Sequence, residues 1–205
     1  MSTLFLLRHG AIVQQEPRRF IGQTDHPLTE AGRRQAALWR EAFSDVPFAC
    51  AVASDLCRCR ETAAIILAGR DLAVRPEPRL REIALGAFEG LTVDEVRDRY
   101  PGAYERRGCD IAGFCPEGGE SFAEVQDRAV AALNELESVC GNVLVVAHGG
   151  VNRTILCHAL GIDLRRLFRL GQDYCRLNLL DLGPDCWRVD GVNLAPGAPW
   201  RFPGP

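Results

Sequence analysis

The chain has 205 residues, a length that suits one domain with a substantial hydrophobic core. Hydrophobic residues make up 47% and charged residues 25%, so the composition indicates neither a disordered chain nor a membrane protein. The formal net charge of −3 argues against a general nucleic-acid binder, because such proteins carry a basic surplus that neutralises phosphates.

The first predicted element is a buried β-strand, residues 3–7, which is followed at once by Arg8, His9 and Gly10. Its unbroken apolar run is typical of a central parallel strand that is covered on both faces. Side chains at the carboxyl end of such a strand lie where ligands bind in open α/β sheets. This stretch alone is also compatible with Arg8 and His9 being ordinary surface residues at the end of a strand.

The N-terminus and the cysteines predict the compartment. Arg8 and His9 interrupt the only apolar run near the N-terminus, so neither a signal peptide nor a membrane span is expected. Nine cysteines without a secretion signal are typical of reduced thiols, and an odd number cannot pair completely. We therefore expect a cytoplasmic protein without membrane association.

A long polar connection and a helix come next. Residues 11–28 are expected to form a loop, and a structureless connection of that length in a compact domain is usually functional. Thr29 is expected to cap the helix, which ends before Pro47. Its apolar residues recur at helical spacing and are expected to face the core: Leu38, Trp39, Ala42 and Phe43.

A second buried strand, residues 48–53, leads into another helix. Ser54 is expected to cap this helix, which ends near Gly69. Residues 72–74 are expected to form a short third strand. Residues 80–90 have two glycines and mixed polarity, which predict a loop.

Two capping boxes, Thr92 with Glu95 and Ser121 with Glu124, predict a short helix and a long amphipathic helix. The stretch between these two helices is expected to be irregular. The sequence therefore predicts that these two helices begin directly after Thr92 and Ser121.

The chain ends with a further strand and helix and then a hairpin. Residues 143–147 form a buried strand that runs into His148, and a helix follows over about residues 152–160. Residues 176–182 and 187–189 are expected to pair as a closing hairpin.

Strands and helices alternate over most of the chain, and neither repeats nor a clear linker is visible. A single α/β domain over residues 1–205 is therefore expected. The segment from about 195 to 205 contains four prolines and is expected to be a loosely ordered tail.

Polar groups follow three of the predicted strands, at Arg8 with His9, at Arg58, and at His148. If these strands are parallel neighbours, their ends meet at one edge of the sheet and form one pocket, which the loop that carries Glu82 can reach. Two arginines and two histidines suit an anion better than a neutral or cationic ligand. An arginine fork binds phosphate oxygens in two places, and a neutral imidazole is a competent nucleophile.

The remaining motifs extend this set along the chain: Leu7-Arg8-His9-Gly10 with Gly22-Gln23-Thr24-Asp25-His26-Pro27-Leu28-Thr29-Glu30-Ala31-Gly32, Ser54-Asp55-Leu56-Cys57-Arg58 with Thr62-Ala63, Glu82 with Gly86 and Glu89-Gly90, and Val146-Ala147-His148-Gly149-Gly150. This ordered set resembles the histidine phosphatase superfamily, also called phosphoglycerate mutase-like. The matches run from residue 3 to about residue 155.

The resemblance implies a fold and a division of roles. The fold is a three-layer α/β/α sandwich, with a mostly parallel central sheet and helices on both faces. His9 is implied as the phosphorylated nucleophile, Arg8, Arg58 and His148 as the groups that hold the phosphoryl oxygens, and Glu82 as the proton donor. Glu89 lies close by in the sequence and stays open as the acid instead.

The loop after Gly10 departs from the family pattern. Ala11 and Ile12 stand where the family usually has Glu-Thr, and Gln15 stands at an asparagine position. Gln15 keeps the amide and is expected to donate to a phosphate oxygen. Gly22 and Gln23 are expected to present a backbone N–H and an amide to the substrate, and Gly149 is expected to contact it as well.

The reaction is expected to be phosphate ester hydrolysis without a metal or other cofactor. Related mutases have an arginine and a tyrosine after the acid, whereas this chain has Ile83 and Leu85, which provide no dedicated carboxylate clamp. These apolar residues at the entrance of the predicted pocket suit a small phosphorylated metabolite with a partly apolar leaving group. Residues 115–122 and 178–180 look similar to α-ribazole-5′-phosphate phosphatases, and broad-specificity phosphatases carry similar segments.

Two other functions stay open. The first is a phosphoglycerate mutase-type phosphotransferase, which shares the phosphohistidine half-reaction. The second is a non-catalytic phospho-ligand binding module, for which loss of His9 or His148 would be expected, and this chain has both. The sequence does not indicate the oligomeric state.

Overall fold

The computed structural model describes residues 2–183 and 187–198. In these residues the strands are β1 (Ser2–Arg8), β2 (Phe48–Ala53), β3 (Val74–Pro76), β4 (Gly141–Ala147), β5 (Leu177–Leu182) and β6 (Trp187–Leu194). The α-helices are α1 (Glu30–Ala42), α2 (Cys57–Ile66), α3 (Val93–Arg99), α4 (Ala103–Cys109), α5 (Phe122–Asn134) and α6 (Gly149–Leu160). Short 3₁₀ segments cover Pro78–Leu80, Gly86–Phe88 and Leu164–Arg169.

The sheet is mostly parallel, and the pair β1–β4 lies at its centre. The strand order is β3-β2-β4-β1-β5-β6. Strands β1 to β4 run parallel to one another, whereas β5 is antiparallel to β1 and to β6. Arg8 pairs with Ala147, and Ala53 pairs with Val146. The carboxyl ends of β1, β2 and β4 therefore lie at one edge, as predicted.

Helices cover both faces of the sheet. Leu4 and Leu6 of β1 pack in the core that contains residues of α5 and α6. Phe5 and Leu7 pack in the core that contains residues of α1 and α2. This division follows from the alternation of side chains along a strand. The predicted three-layer α/β/α sandwich is confirmed.

The predicted helix starts are mostly confirmed. The Thr29 side chain caps α1 by accepting a hydrogen bond from the N–H of Gly32. Both capping boxes are present: Thr92 with Glu95 at α3, and Ser121 with Glu124 at α5. These bonds satisfy N–H groups that a helix start leaves without partners.

The prediction that Ser54 caps a helix is wrong. Helix α2 has Leu56 at its N-cap without a side-chain bond, and the Ser54 hydroxyl instead bonds the ring of His148. Leu38 is also not in the core, because 52% of its surface is exposed, whereas its neighbour Trp39 is fully buried.

Three other predictions need correction. Helix α4 occupies part of the stretch that was expected to be irregular, and it starts directly after Gly102, whose φ of +74° a glycine adopts readily. Strand β3 begins two residues later than predicted, at Val74. The expected loop over residues 80–90 contains a 3₁₀ turn, Gly86–Phe88.

The C-terminal region pairs as expected, with a longer last strand. Strands β5 and β6 form the antiparallel hairpin, and β6 extends to Leu194 rather than 189. Residues 184–186, between the two strands, and residues 199–205 of the expected tail lie outside the described residues. None of the helices in the described part of the chain combines the length and apolarity needed to cross a membrane.

Candidate active site

The carboxyl ends of β1 and β4 place two histidines side by side. His9 and His148 directly follow these strands, and their ring centroids are 5.1 Å apart. The chain then continues from β1 to α1 on one face of the sheet and from β4 to α6 on the other. Ligands bind at such a switch point in open α/β sheets.

Arg58 lies in the first turn of α2 and is fully buried. Its Nε donates to Nδ1 of His148 at 3.2 Å. Its terminal nitrogens donate to the carbonyl oxygens of Thr24 at 2.8 Å and Gly22 at 2.7 Å. The carboxylate of Asp25 is 3.9 Å away, too far for a hydrogen bond. A guanidinium has more N–H groups than these bonds use, so Arg58 retains donors for an anion.

The imidazole of His9 has one nitrogen fixed and one free to react. Its Nδ1 lies 2.8 Å from the carbonyl oxygen of Gly10. A carbonyl only accepts, so Nδ1 carries the proton and Nε2 carries the lone pair. Burial first, and then the charges of Arg8 and Arg58, hold the pKa of His9 well below its ordinary value. His9 is therefore neutral and nucleophilic at neutral pH.

His148 is also neutral, and both its ring nitrogens have partners. Nδ1 accepts from Arg58, so the proton is on Nε2, which donates to the hydroxyl of Ser54 at 2.8 Å. The thiol sulfur of Cys59 lies 3.3 Å from the same nitrogen. Burial, followed by His9 and Arg58, lowers the pKa of His148 well below its ordinary value.

Arg8 provides a second cation, which is partly buried. Its Nη1 donates to the carbonyl oxygen of Gln172 at 2.6 Å, and its guanidinium carbon lies 3.8 Å from the centre of the Tyr174 ring. Its Nε is buried without a hydrogen-bond partner in the described residues. Burial lowers the pKa of Arg8. A buried donor without a partner is unfavourable, so an incoming anion would gain an unusually favourable contact here.

Glu82 is held in place by backbone donors. Its Oε2 accepts from the N–H of Gly150 at 3.0 Å, and its Oε1 accepts from the N–H of Ile83 at 3.0 Å. Arg128 donates to the carbonyl oxygen of Glu82 from the other side, at 3.2 Å. A β-carbon on Gly150 would lie 2.4 Å from Oε1, so a side chain at that position would displace the carboxyl group.

Glu89, the alternative acid, has a different environment. Its Oε1 accepts from the N–H of Gly22 at 2.8 Å and from the hydroxyl of Thr24 at 2.7 Å. The amide of Gln23 in turn donates to the carbonyl oxygen of Glu82 at 3.0 Å. Glu89 thus holds the loop whose carbonyl groups bind Arg58.

One cavity of about 810 Å³ opens above the strand ends. The predicted site residues that line it are Arg8, His9, Gln15, Arg58, Glu82 and Gly149. The expectation that Gly22 and Gln23 present donors to the substrate does not hold in this arrangement, because those groups bind Glu89 and Glu82 and neither residue lines the cavity. His148 lies behind it and orients Arg58 instead of facing the cavity. Gln15 is exposed at its mouth.

Sequence reasoning missed several residues that line the cavity: Arg18, Arg107, Arg153, Tyr174 and Arg176. Arg153 had a usable signal, because it lies one helical turn after Gly149 and therefore on the same side of α6. The others come from segments far apart in the sequence, and nothing in their local patterns indicates that they converge.

The comparison with family models matches residues 4–195 to the histidine phosphatase superfamily (branch 1). The chain belongs to the histidine phosphatase superfamily. It is thus an enzyme of a superfamily that contains phosphatases and mutases and acts on small phosphorylated substrates.

Other superfamily members share the length and the fold of this histidine phosphatase. It is 32% identical over 193 residues to "Probable phosphoglycerate mutase GpmB" of Yersinia pestis (strain Pestoides F), covering 93% of this chain and 90% of that protein. A mycobacterial glucosyl-3-phosphoglycerate phosphatase, solved with VO3, is 31% identical with a TM-score of 0.81 over 94% and 99% of the chains. The α-ribazole phosphatase of Shigella flexneri is 24% identical, with a TM-score of 0.86 over 94% and 96%, and this likeness shows the fold.

The hydrogen bonds of this histidine phosphatase predict two different imidazole tautomers. Long-range ¹H–¹⁵N NMR should show His9 with its proton on Nδ1 and His148 with its proton on Nε2. Both should stay neutral at about pH 6.5, where a solvent-exposed imidazole is half protonated, because burial and the neighbouring arginines disfavour the charged form. Imidazolium signals from His9 or His148 at that pH, or a proton on Nε2 of His9, would contradict this assignment.

Proposed function

We propose that this enzyme is a metal-independent phosphomonoesterase that acts through a phosphohistidine at His9. The observation that carries the proposal is the Nδ1–H bond from His9 to Gly10, which leaves the Nε2 lone pair free beside the buried Arg58 and the partly buried Arg8. A neutral nucleophile between fixed cations suits attack on a negatively charged phosphoryl group.

The reaction would have two steps. In the first, Nε2 of His9 attacks phosphorus, the ester oxygen departs, and the carboxylic acid of Glu82 gives that oxygen its proton. In the second, the Glu82 carboxylate takes a proton from water as the water oxygen attacks phosphorus and the P–N bond breaks. Arg8 and Arg58 would neutralise the charge on the transferred group, and His148 would keep Arg58 in position.

Relatives support the phosphate chemistry. The mycobacterial glucosyl-3-phosphoglycerate phosphatase was solved both with VO3 and with inorganic phosphate. At 31% identity over nearly the full length of both chains, a similar anion at the strand ends of this protein is a reasonable expectation. Gln15 and Gly149 would add contacts to that anion.

We also propose a cytoplasmic location, since the cysteines of the described residues are free thiols.

The substrate is proposed to be a small phosphorylated metabolite, and α-ribazole 5′-phosphate is one candidate. A phosphoglycerate mutase-type transfer is the second candidate, favoured by the 32% identity to the Yersinia protein. The two reactions differ in whether water or a substrate hydroxyl receives the phosphoryl group. With 3-phosphoglycerate and catalytic 2,3-bisphosphoglycerate, phosphate release faster than isomerisation supports the phosphatase, and the reverse supports the mutase.

Replacing the proposed nucleophile tests the mechanism. His9→Asn should reduce hydrolysis of p-nitrophenyl phosphate in EDTA to background, because no other imidazole and no thiol among the described residues lines the cavity. His158→Asn is the matched control, because His158 is an exposed residue on α6 and should retain full turnover. Undiminished hydrolysis by a folded His9→Asn variant, or loss of wild-type activity in EDTA, would overturn the proposal.

A second substitution separates the two candidate acids. Glu82→Gln should slow first-turnover release of an alkyl alcohol by about a hundred-fold or more, because an alkoxide needs a proton to depart. Release of p-nitrophenolate, a stable anion, should fall far less. Glu89→Gln keeps an oxygen for the bonds from Gly22 and Thr24 and should keep the wild-type dependence on the leaving group. If Glu89→Gln instead slows release of the alkyl alcohol far more than release of p-nitrophenolate, the acid is Glu89.

A further inference from the structure

We propose that the cavity binds a second anionic group of the substrate on Arg153 and Arg18, beside the phosphoryl site. The substrate would then be a phosphate ester that also carries a carboxylate or a second phosphate. This inference rests on the proposed function and narrows its substrate class, and it disfavours α-ribazole 5′-phosphate, which has no second anionic group.

Arg153 is a fixed cation that has donors to spare. Its Nε donates to the carbonyl oxygen of Leu170 at 2.9 Å, and its Nη1 donates to that of Gly149 at 3.2 Å. Its guanidinium carbon lies 5.6 Å from the centre of the Phe168 ring. Two backbone oxygens thus hold the group, and its other N–H donors remain available at the cavity wall. Within residues 2–183 and 187–198 it forms no ion pair with a carboxylate.

Arg153 lies next to the phosphoryl site. A β-carbon on Gly149 would be 3.2 Å from Nε of Arg8 and 3.3 Å from Nη1 of Arg153, so the two guanidinium groups flank the same glycine. Burial, and then the charge of Arg8, lowers the pKa of Arg153. Arg18, from the loop after β1, lines the same cavity as Arg8 and Arg153. Such a cluster of like charges is unfavourable until anions bind.

The charge of the whole lining exceeds what one phosphate can neutralise. Among the residues that the structure describes, seven arginines line the cavity, against the carboxylates of Glu82 and Asp173. Arg19 is paired with Glu95 at 2.7 Å, which leaves six arginines and two carboxylates. A phosphate ester dianion neutralises two of the excess charges and leaves a positive remainder. The chain contains no lysine, so this remainder consists of arginine forks, which suit carboxylate and phosphate oxygens.

This subsite differs in position from the arginine and tyrosine that follow the acid in related mutases. Ile83 and Leu85 replace polar residues there, and both line the cavity as an apolar wall. The cations come instead from α6 and from the loop after β1. The substrate therefore has an organic part against the apolar wall and a second anion near Arg153.

Matched pairs of esters test the subsite. 3-Phosphoglycerate and glycerol 3-phosphate differ by a carboxylate, and fructose 1,6-bisphosphate and fructose 6-phosphate differ by a phosphate. We expect kcat/KM to favour one of the doubly anionic esters by about ten-fold or more, the effect of one charge-assisted contact. The pair that shows the preference identifies the second group as carboxylate or phosphate.

Substitutions then locate the preference. Arg153→Gln should bring the ratio of kcat/KM within the favoured pair close to one, and Arg18→Gln should lower it as well. Arg97→Gln, which removes a surface ion pair with Glu105, should leave the ratio unchanged. Arg18 is exposed, so its variant tests the subsite even where Arg153→Gln fails to fold.

Equal kcat/KM within both pairs, or an equal loss for both members in Arg153→Gln and Arg18→Gln, would overturn the second subsite while leaving hydrolysis at His9 intact. If no ester is hydrolysed, the proposed function fails instead. Calorimetric binding of the same pairs then tests the subsite without turnover: tighter binding of the doubly anionic member supports it, and equal binding contradicts it.

Discussion

The buried guanidinium of Arg58 connects the parts of the site. It bonds the ring of His148 after β4 and the carbonyl groups of Gly22 and Thr24 in the long loop, while its own backbone starts α2. A buried cation is costly without compensation, and here neutral acceptors compensate it instead of a close carboxylate. Its positive charge therefore remains available to an anion in the cavity, which is what phosphoryl transfer requires.

The parallel pairing of β1 with β4 places the remaining groups. Because these strands are neighbours, His9 and His148 meet at the sheet edge, and the helix that follows β4 begins there. This one helix supplies Gly150, whose N–H fixes the carboxyl group of Glu82, and Arg153 one turn later. A helix N-terminus also favours a bound anion. The proposed nucleophile, acid and second-anion contact thus depend on the same two strand ends.

The sequence predicted the features that depend on local pattern. Apolar runs indicated the strands, and the capping boxes at Ser121 and Thr92 indicated two helix starts, because their hydrogen bonds join residues close in the chain. The meeting of the three strand ends was predictable from the parallel order of the sheet, but individual hydrogen-bond partners that are distant in the sequence were not. Ser54 follows a strand as a cap would, yet it bonds His148, which lies 94 residues away. Gly22 and Gln23 match a substrate-binding motif, but Glu89 and Glu82 receive their hydrogen bonds.

Transfer of a phosphoryl group to His9 is the central step of the proposed reaction. The direct measurement is intact-protein mass spectrometry of enzyme quenched at alkaline pH during turnover of a slowly hydrolysed phosphate ester, followed by peptide mapping. We expect one added phosphoryl group on the peptide that contains His9, and this group should be labile in acid. Phosphorylation at another residue, or steady turnover with no phosphorylated enzyme after a rapid quench, would contradict it.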